Sequence, residues 1–166
     1  MLSYRKLKGS YWYRDWLIKN LFIISFAFLS ISFNWSDYKL FDLNKNQITF
    51  QELISKNDKT ILFIWASSCY ACRLNLSKFN KNPLDTPGIK LYYVNIGDNS
   101  NIVEFVVRKL KLNNIRDNII LDEYGGLGYK FNITILPTFI FLQGGKEIYR
   151  SNFISKNLIN DIFHNG

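Results

Sequence analysis

A seven-residue run, Thr60-Ile61-Leu62-Phe63-Ile64-Trp65-Ala66, carries no charge and is dominated by β-branched and aromatic residues. A strand with one wet face alternates apolar with polar side chains, so an unbroken run of this kind predicts a strand buried on both faces. That burial requires helices on each side of the sheet. Two serines then lead to Cys69-Tyr70-Ala71-Cys72, the opening of a segment over residues 70–80 that reads as a helix.

The rest of the pattern agrees with such a sheet. Residues 40–43 and 47–50 are short extended candidates around Asn44-Lys45-Asn46, a hairpin turn, and a short helix is expected over 51–56. A strand over 89–96, a helix over 101–111 and a strand over 118–122 follow, the last running into a glycine-rich stretch at 124–129. Strands over 138–142 and 147–153 flank Gly144-Gly145, a two-strand hairpin signal, and Ser155 is the expected cap of a last helix reaching Phe163. Strands alternating with helices predict a three-layer α/β/α arrangement around a central mixed sheet, with the first hairpin as an N-terminal extension. At 166 residues, the chain has room for one such domain and a short appendage.

Two cysteines are too few for a disulfide-stapled mini-domain or a complete zinc site. On a first helical turn the sulfurs can approach each other, and the first lies beside backbone N–H groups that lack intrahelical partners. Those donors favour a thiolate, the attacking species in disulfide exchange, making Cys69 the nucleophile and Cys72 the residue that resolves a mixed disulfide. That cycle needs no metal and no cofactor. A structural disulfide, half of an intermolecular zinc site and two buried thiols remain as plainer readings. His164, the single histidine, is assigned no role.

The formal charge of +8 is unevenly spread: five cations and one anion fall in the first twenty residues, leaving sixteen against twelve in the remainder. A basic groove for nucleic acid is not indicated, because the aromatic residues sit at strand and anchor positions and both charge signs are interspersed. Arg73, Lys78 and Lys81 read as a solvated helix face. Arg5, Lys6, Lys8, Arg14 and Lys19 instead precede an uncharged apolar run over 21–33. Thirteen helical residues reach only about 20 Å against a hydrocarbon core of roughly 30 Å. Widening the segment to 16–35 makes a span bounded by Trp16 and Trp35. The layout favours an uncleaved anchor over a cleaved signal peptide or a buried soluble helix. The expected organisation is a cytoplasmic basic tail over 1–15, one transmembrane helix over 16–35 and a domain over 36–166 outside the cytoplasm.

Trp65-Ala66-Ser67-Ser68-Cys69-Tyr70-Ala71-Cys72-Arg73 resembles the thioredoxin superfamily, in particular its membrane-anchored TlpA/ResA/CcmG-like branch. The resemblance continues through Val94-Asn95, Leu121-Asp122-Glu123-Tyr124-Gly125, Leu136-Pro137-Thr138-Phe139 and Gly145-Lys146-Glu147, covering roughly residues 37–163. It implies a thioredoxin fold and a cis Leu136-Pro137 bond, which would turn the Leu136 backbone toward an extended substrate. It also implies that Trp65 packs beside the dithiol. Tyr70 replaces the small or acidic residue often seen between the cysteines and presents a ring to a partner or over the disulfide. Trp65, Leu136 and Pro137, together with Tyr70, are the candidate substrate-binding residues around catalytic Cys69 and Cys72. Several positions depart from the pattern. Ala71 stands where proline is usual, Asn75 and Ser77 replace a frequent Glu and Pro, and Phe63 occupies the place of a buried acid. Asp122 and Glu123, the nearest acids in the matching motifs, are expected at the surface.

The activity implied is thiol-disulfide exchange with protein substrates bearing cysteine pairs, in the reducing direction. Apocytochrome c is the implied client and a transmembrane dithiol protein the implied electron donor, on the periplasmic or outer side of a cytoplasmic membrane. A thiol oxidase or isomerase, and a non-enzymatic docking module braced by its disulfide, are the alternatives.

Overall fold

The apolar run forms a strand whose side chains are shared between two cores. In a computed structural model of the chain, which describes residues 34–164 apart from 85, all of the run but Ala66 falls in Lys59–Trp65. Ile61, Phe63 and Trp65 enter one hydrophobic cluster, while Leu62 and Ile64 enter the other. All five are at most 1% exposed, so neither face of this strand meets water. Burying each such side chain contributes about 1.5–3 kcal/mol. A charge anywhere in the run would oppose the sheet from one side or the other.

The described elements lie within the unit Trp35–Gly166. After a 3₁₀ turn at Trp35–Asp37 come β1 (Lys39–Asp42), β2 (Gln47–Thr49), α1 (Phe50–Ser55), β3 (Lys59–Trp65), α2 (Tyr70–Lys81), β4 (Ile89–Ile96) and α3 (Ser100–Leu110). A second 3₁₀ turn at Arg116–Asn118 precedes β5 (Ile119–Asp122), α4 (Gly126–Lys130), β6 (Thr138–Gln143), β7 (Lys146–Ser151) and α5 (Lys156–His164). The sheet runs β2-β1-β5-β4-β3-β6-β7. β3, β4 and β5 are parallel neighbours, and β1 and β6 join them antiparallel, with β2 and β7 at the edges.

Helices cover both faces. Leu76 and Phe79 of α2, Val103, Val106 and Val107 of α3, and Ile159 and Phe163 of α5 fill the first cluster. Phe50, Leu53 and Ile54 of α1, with Leu127 of α4, fill the second. The three-layer α/β/α arrangement with an N-terminal hairpin is therefore present. Phe63, at the place of an expected acid, sits among the rings of Phe79, Tyr93 and Phe139, with centroids 5.8, 6.1 and 4.7 Å away.

Local signals account for most boundaries. Thr49 and Glu52 form a reciprocal capping box, so Phe50 starts α1 instead of ending β2 as the sequence suggests. The same bonds hold the Glu52 carboxyl below its usual range. Ser155 Oγ accepts the Leu158 N–H at 3.1 Å, as its capping position predicts. Gly144 and Gly145 have φ of +53° and +77°, the left-handed conformation that a two-residue hairpin needs. Strand β7 stops at Ser151, short of the expected 153, where its partner β6 begins after Pro137, which has no N–H for the ladder; the Asn152 side-chain amide donates to the Pro137 carbonyl at 2.9 Å.

The glycine-rich stretch holds a helix that its composition concealed. Asp122, expected at the surface, is 1% exposed and accepts the N–H groups of Gly126 at 3.0 Å and Leu127 at 2.8 Å, nucleating α4. Its partner across 84 residues is Tyr38, whose hydroxyl donates to Asp122 Oδ1 at 2.5 Å. Glu123 is half-exposed and accepts the Ser100 N–H at 3.0 Å, at the start of α3. The basic tail and nearly all of the expected anchor over 16–35 lie outside the described residues. Among the described residues, no helix is long and apolar enough to cross a membrane.

Candidate active site

The chain leaves β3 at Trp65, turns through residues 66–68 and enters α2 at the two cysteines. Cys69 is the N-cap of that helix, with φ −77° and ψ 106°, and its Sγ accepts the Cys72 N–H at 3.1 Å. The Arg73 N–H reaches the Cys69 carbonyl at 3.1 Å, the first full helical bond. Sulfur thus occupies the place that a serine or aspartate oxygen takes in an ordinary cap. Cys69 and Cys72 are joined by a disulfide with S–S 2.08 Å and Cα–Cα 5.2 Å. Cys72 is 0% exposed and belongs to the first core cluster, whereas Cys69 is half-buried at its edge. A partner molecule can therefore approach the first sulfur and not the second.

The loop before Cys69 is held from the end of the neighbouring strand. Asp98, two residues beyond β4, accepts the Ser67 N–H at 2.6 Å and the Asn95 amide at 2.8 Å through Oδ2. Its Oδ1 accepts the Ser67 hydroxyl at 2.8 Å. From the opposite side, the Arg73 guanidinium donates to the Ser67 carbonyl and lies 5.8 Å from the centre of the Tyr70 ring. Arg73 is therefore engaged with the active loop, not with solvent alone; Lys78 and Lys81 are exposed, as a solvated face requires. Sequence reading named neither Asp98 nor Ser67 as functional. The available hint was Gly97-Asp98 immediately after the predicted strand, where a turn aims a carboxylate back along the sheet edge.

The remaining candidates take different places. Tyr70 is 67% exposed beside Cys69. Leu136 and Pro137 are half-buried, their peptide bond is cis, and Leu136 packs against both core clusters. Because Ile64 pairs with Thr138, the next step of that register sets Pro137 alongside Trp65 and the chain leading to the cysteines. Trp65 itself is 0% exposed, so its ring offers no surface to a docked chain. The alternation of β3 turns it into the cluster that also contains Cys72. Trp65 Nε1 and Asn95 Oδ1, on residues paired across β3 and β4, are buried without a hydrogen-bond partner among the described residues. Among those residues, no group of three or more His, Cys, Asp or Glu could hold a metal ion.

Fold and site together define the class: a thioredoxin-like α/β protein with a Cys-x-x-Cys disulfide at a helix N-terminus. Its homologues and structural neighbours are thioredoxin-like thiol-disulfide oxidoreductases, with which the TlpA/ResA/CcmG-like branch is consistent. The sporulation thiol-disulfide oxidoreductase A of Bacillus subtilis is 31% identical over 101 residues, 58% of this chain and 60% of the relative, so the match leaves two fifths of that relative uncovered. The crystal structure of StoA from Bacillus subtilis superposes with TM-score 0.55 at 26% identity, covering 69% of this chain and 85% of that one. A secreted Mycobacterium tuberculosis disulfide oxidoreductase homologous to E. coli DsbE shares the fold at TM-score 0.58 and 16% identity, over 74% and 91% of the two chains. No family model matches the chain.

Proposed function

We propose that the chain is a membrane-tethered, extracytoplasmic thiol-disulfide oxidoreductase that reduces disulfides in client proteins. The observation that carries this reading is the unequal burial of two bonded sulfurs at one helix N-terminus, Cys69 reachable and Cys72 fully enclosed. In the dithiol state the Cys72 N–H and the helix dipole favour Cys69 as thiolate. The Cys69 thiolate attacks one client sulfur, expelling the other as a thiolate that takes up a proton. Cys72, losing its own proton, then attacks the Cys69 sulfur and releases the first client sulfur as a thiol. Two electrons and two protons pass to the client, and the Cys69–Cys72 disulfide remains for a second dithiol protein to reduce. The backbone of Leu136, ahead of the cis Pro137, supplies a strand-like edge for the client segment.

The reducing direction is favoured by compartment. Disulfides form by default outside the cytoplasm, so a tethered dithiol protein there is of use where thiols must be regenerated. Apocytochrome c, whose haem-attachment cysteines must be reduced, is the client class that follows. The relative named as a thiol-disulfide oxidoreductase supports the exchange chemistry. The test is a Cys72→Ser variant of the full-length chain, which should accumulate mixed disulfides through Cys69 with client proteins and with a peptide carrying an oxidised Cys-x-x-Cys-His sequence. A folded variant that captures no thiol-linked protein, in cells or with the peptide, refutes the reading.

A further inference from the structure

Beside the dithiol lies a groove of about 300 Å³, walled by Ser67 and Arg73 on the active-site side and by Ile102, Phe105 and Lys109 of α3 on the other. Helix α3 has two apolar stripes. Val103 and Val107 face the core, Val106 belongs to the core and also borders the groove, and Ile102 and Phe105, 42% and 56% exposed, line the groove. One helical step apart, they form a continuous apolar wall that the fold itself leaves uncovered.

The groove is also one-signed. Arg73 and Lys109 stand at its borders, no carboxylate lines it, and neither cation has an ion-pair partner among the described residues. The nearby acids are committed elsewhere. Glu104 is paired with Arg116 at 2.8 Å, and both oxygens of Asp98 are engaged by Ser67 and Asn95. Lys109 Nζ lies 5.7 Å from the centre of the Phe105 ring, so charge and apolar surface meet at one end.

We propose that this groove docks an extended segment of a protein client in which an apolar side chain is accompanied by a carboxylate. The proposal rests on the dithiol reading above and adds what kind of client sequence the site prefers. Ser67 is two residues from Cys69, and an extended chain advances about 3.3–3.6 Å per residue, so the docked pair stands two to four residues from the client cysteine. The apolar side chain covers Ile102 and Phe105. The carboxylate answers Arg73 and Lys109, and this complementarity acts mainly on partner choice and encounter rate.

The test uses the full-length chain and two labelled peptides that differ at one position. Each carries Leu three residues from a serine standing in for the client cysteine, followed by Asp in one peptide and Lys in the other. Fluorescence anisotropy at low salt should show the Asp peptide binding roughly tenfold tighter, with the gap narrowing at about 0.5 M salt, where screening is strong. Lys109→Glu should abolish or invert the preference, and Phe105→Ser should weaken both peptides, each variant first shown to melt like the parent. Equal binding of the two peptides, or a preference untouched by Lys109→Glu, overturns the proposal. Reduction of hydroxyethyl disulfide by the parent dithiol reads the sulfurs without the groove. Inertness there with peptide preference intact refutes the redox reading alone, whereas reactivity without preference refutes the groove alone.

Discussion

Asp98 follows β4, Asp122 closes the adjacent β5, and each carboxylate gathers three donors. Asp98 collects the Ser67 N–H, the Ser67 hydroxyl and the Asn95 amide. Asp122 collects the Tyr38 hydroxyl and the N–H groups of Gly126 and Leu127. The chemistry is the same; the surroundings are not. Asp122 is 1% exposed and ties the N-terminal hairpin to the sheet, whereas Asp98 is half-buried under the loop that carries the reactive sulfur. A carboxylate that orders buried backbone is architecture, and one that orders a loop two residues from Cys69 bears on reactivity.

Substitution should separate the two. Asp122→Ala leaves the Leu127 N–H and the Tyr38 hydroxyl without their acceptor, while the Gly126 N–H keeps the Tyr38 oxygen, and is expected to cost about 3 kcal/mol, read from urea unfolding. Its rate of exchange with a small disulfide, per folded molecule, should match the parent. Asp98→Ala is expected to cost about 1 kcal/mol. Because the loop loses its anchor, exchange at Cys69 should slow by roughly tenfold in stopped-flow measurements. Equal stability losses with unchanged exchange in both variants would make Asp98 a second architectural carboxylate and erase the distinction.

The smallest expected effect concerns Tyr38, whose hydroxyl is held well above the usual tyrosine range, first by burial and then by its bond to Asp122. A raised folded-state value means that the contribution is complete below the unfolded value of about 10 and is lost as pH climbs above it. The parent should therefore lose stability more steeply than Tyr38→Phe between about pH 9 and pH 11. Tyr92 and Tyr93, also raised by burial, are common to both proteins and drop out of the difference. Parallel curves would show that the Tyr38–Asp122 bond contributes nothing to holding the hairpin.

The candidate site is partly legible in the sequence. The strand, the helix start and the two cysteines are consecutive in the chain, so pattern and capping chemistry expose them together. The cis bond at Leu136-Pro137 followed from the motif that resembles thioredoxins. Ser67 and Asp98 are 31 residues apart, and only the parallel register of β3 with β4 brings them into contact. Arg73 looked like one of several surface cations because its engagement with the Ser67 carbonyl depends on how the loop turns back. Trp65 was expected to touch substrate, but position on an alternating strand directs it into the core.

Sequence alone determined the two-faced burial of β3, the sulfurs at the head of α2 and the layered class of fold, because each depends on neighbours within a few residues. Tertiary structure decided which sulfur a partner can reach, which carboxylate holds the loop, and that Arg73 faces Lys109 across a groove. Those outcomes depend on strand register and helix placement, where small changes of alignment exchange one set of side-chain neighbours for another.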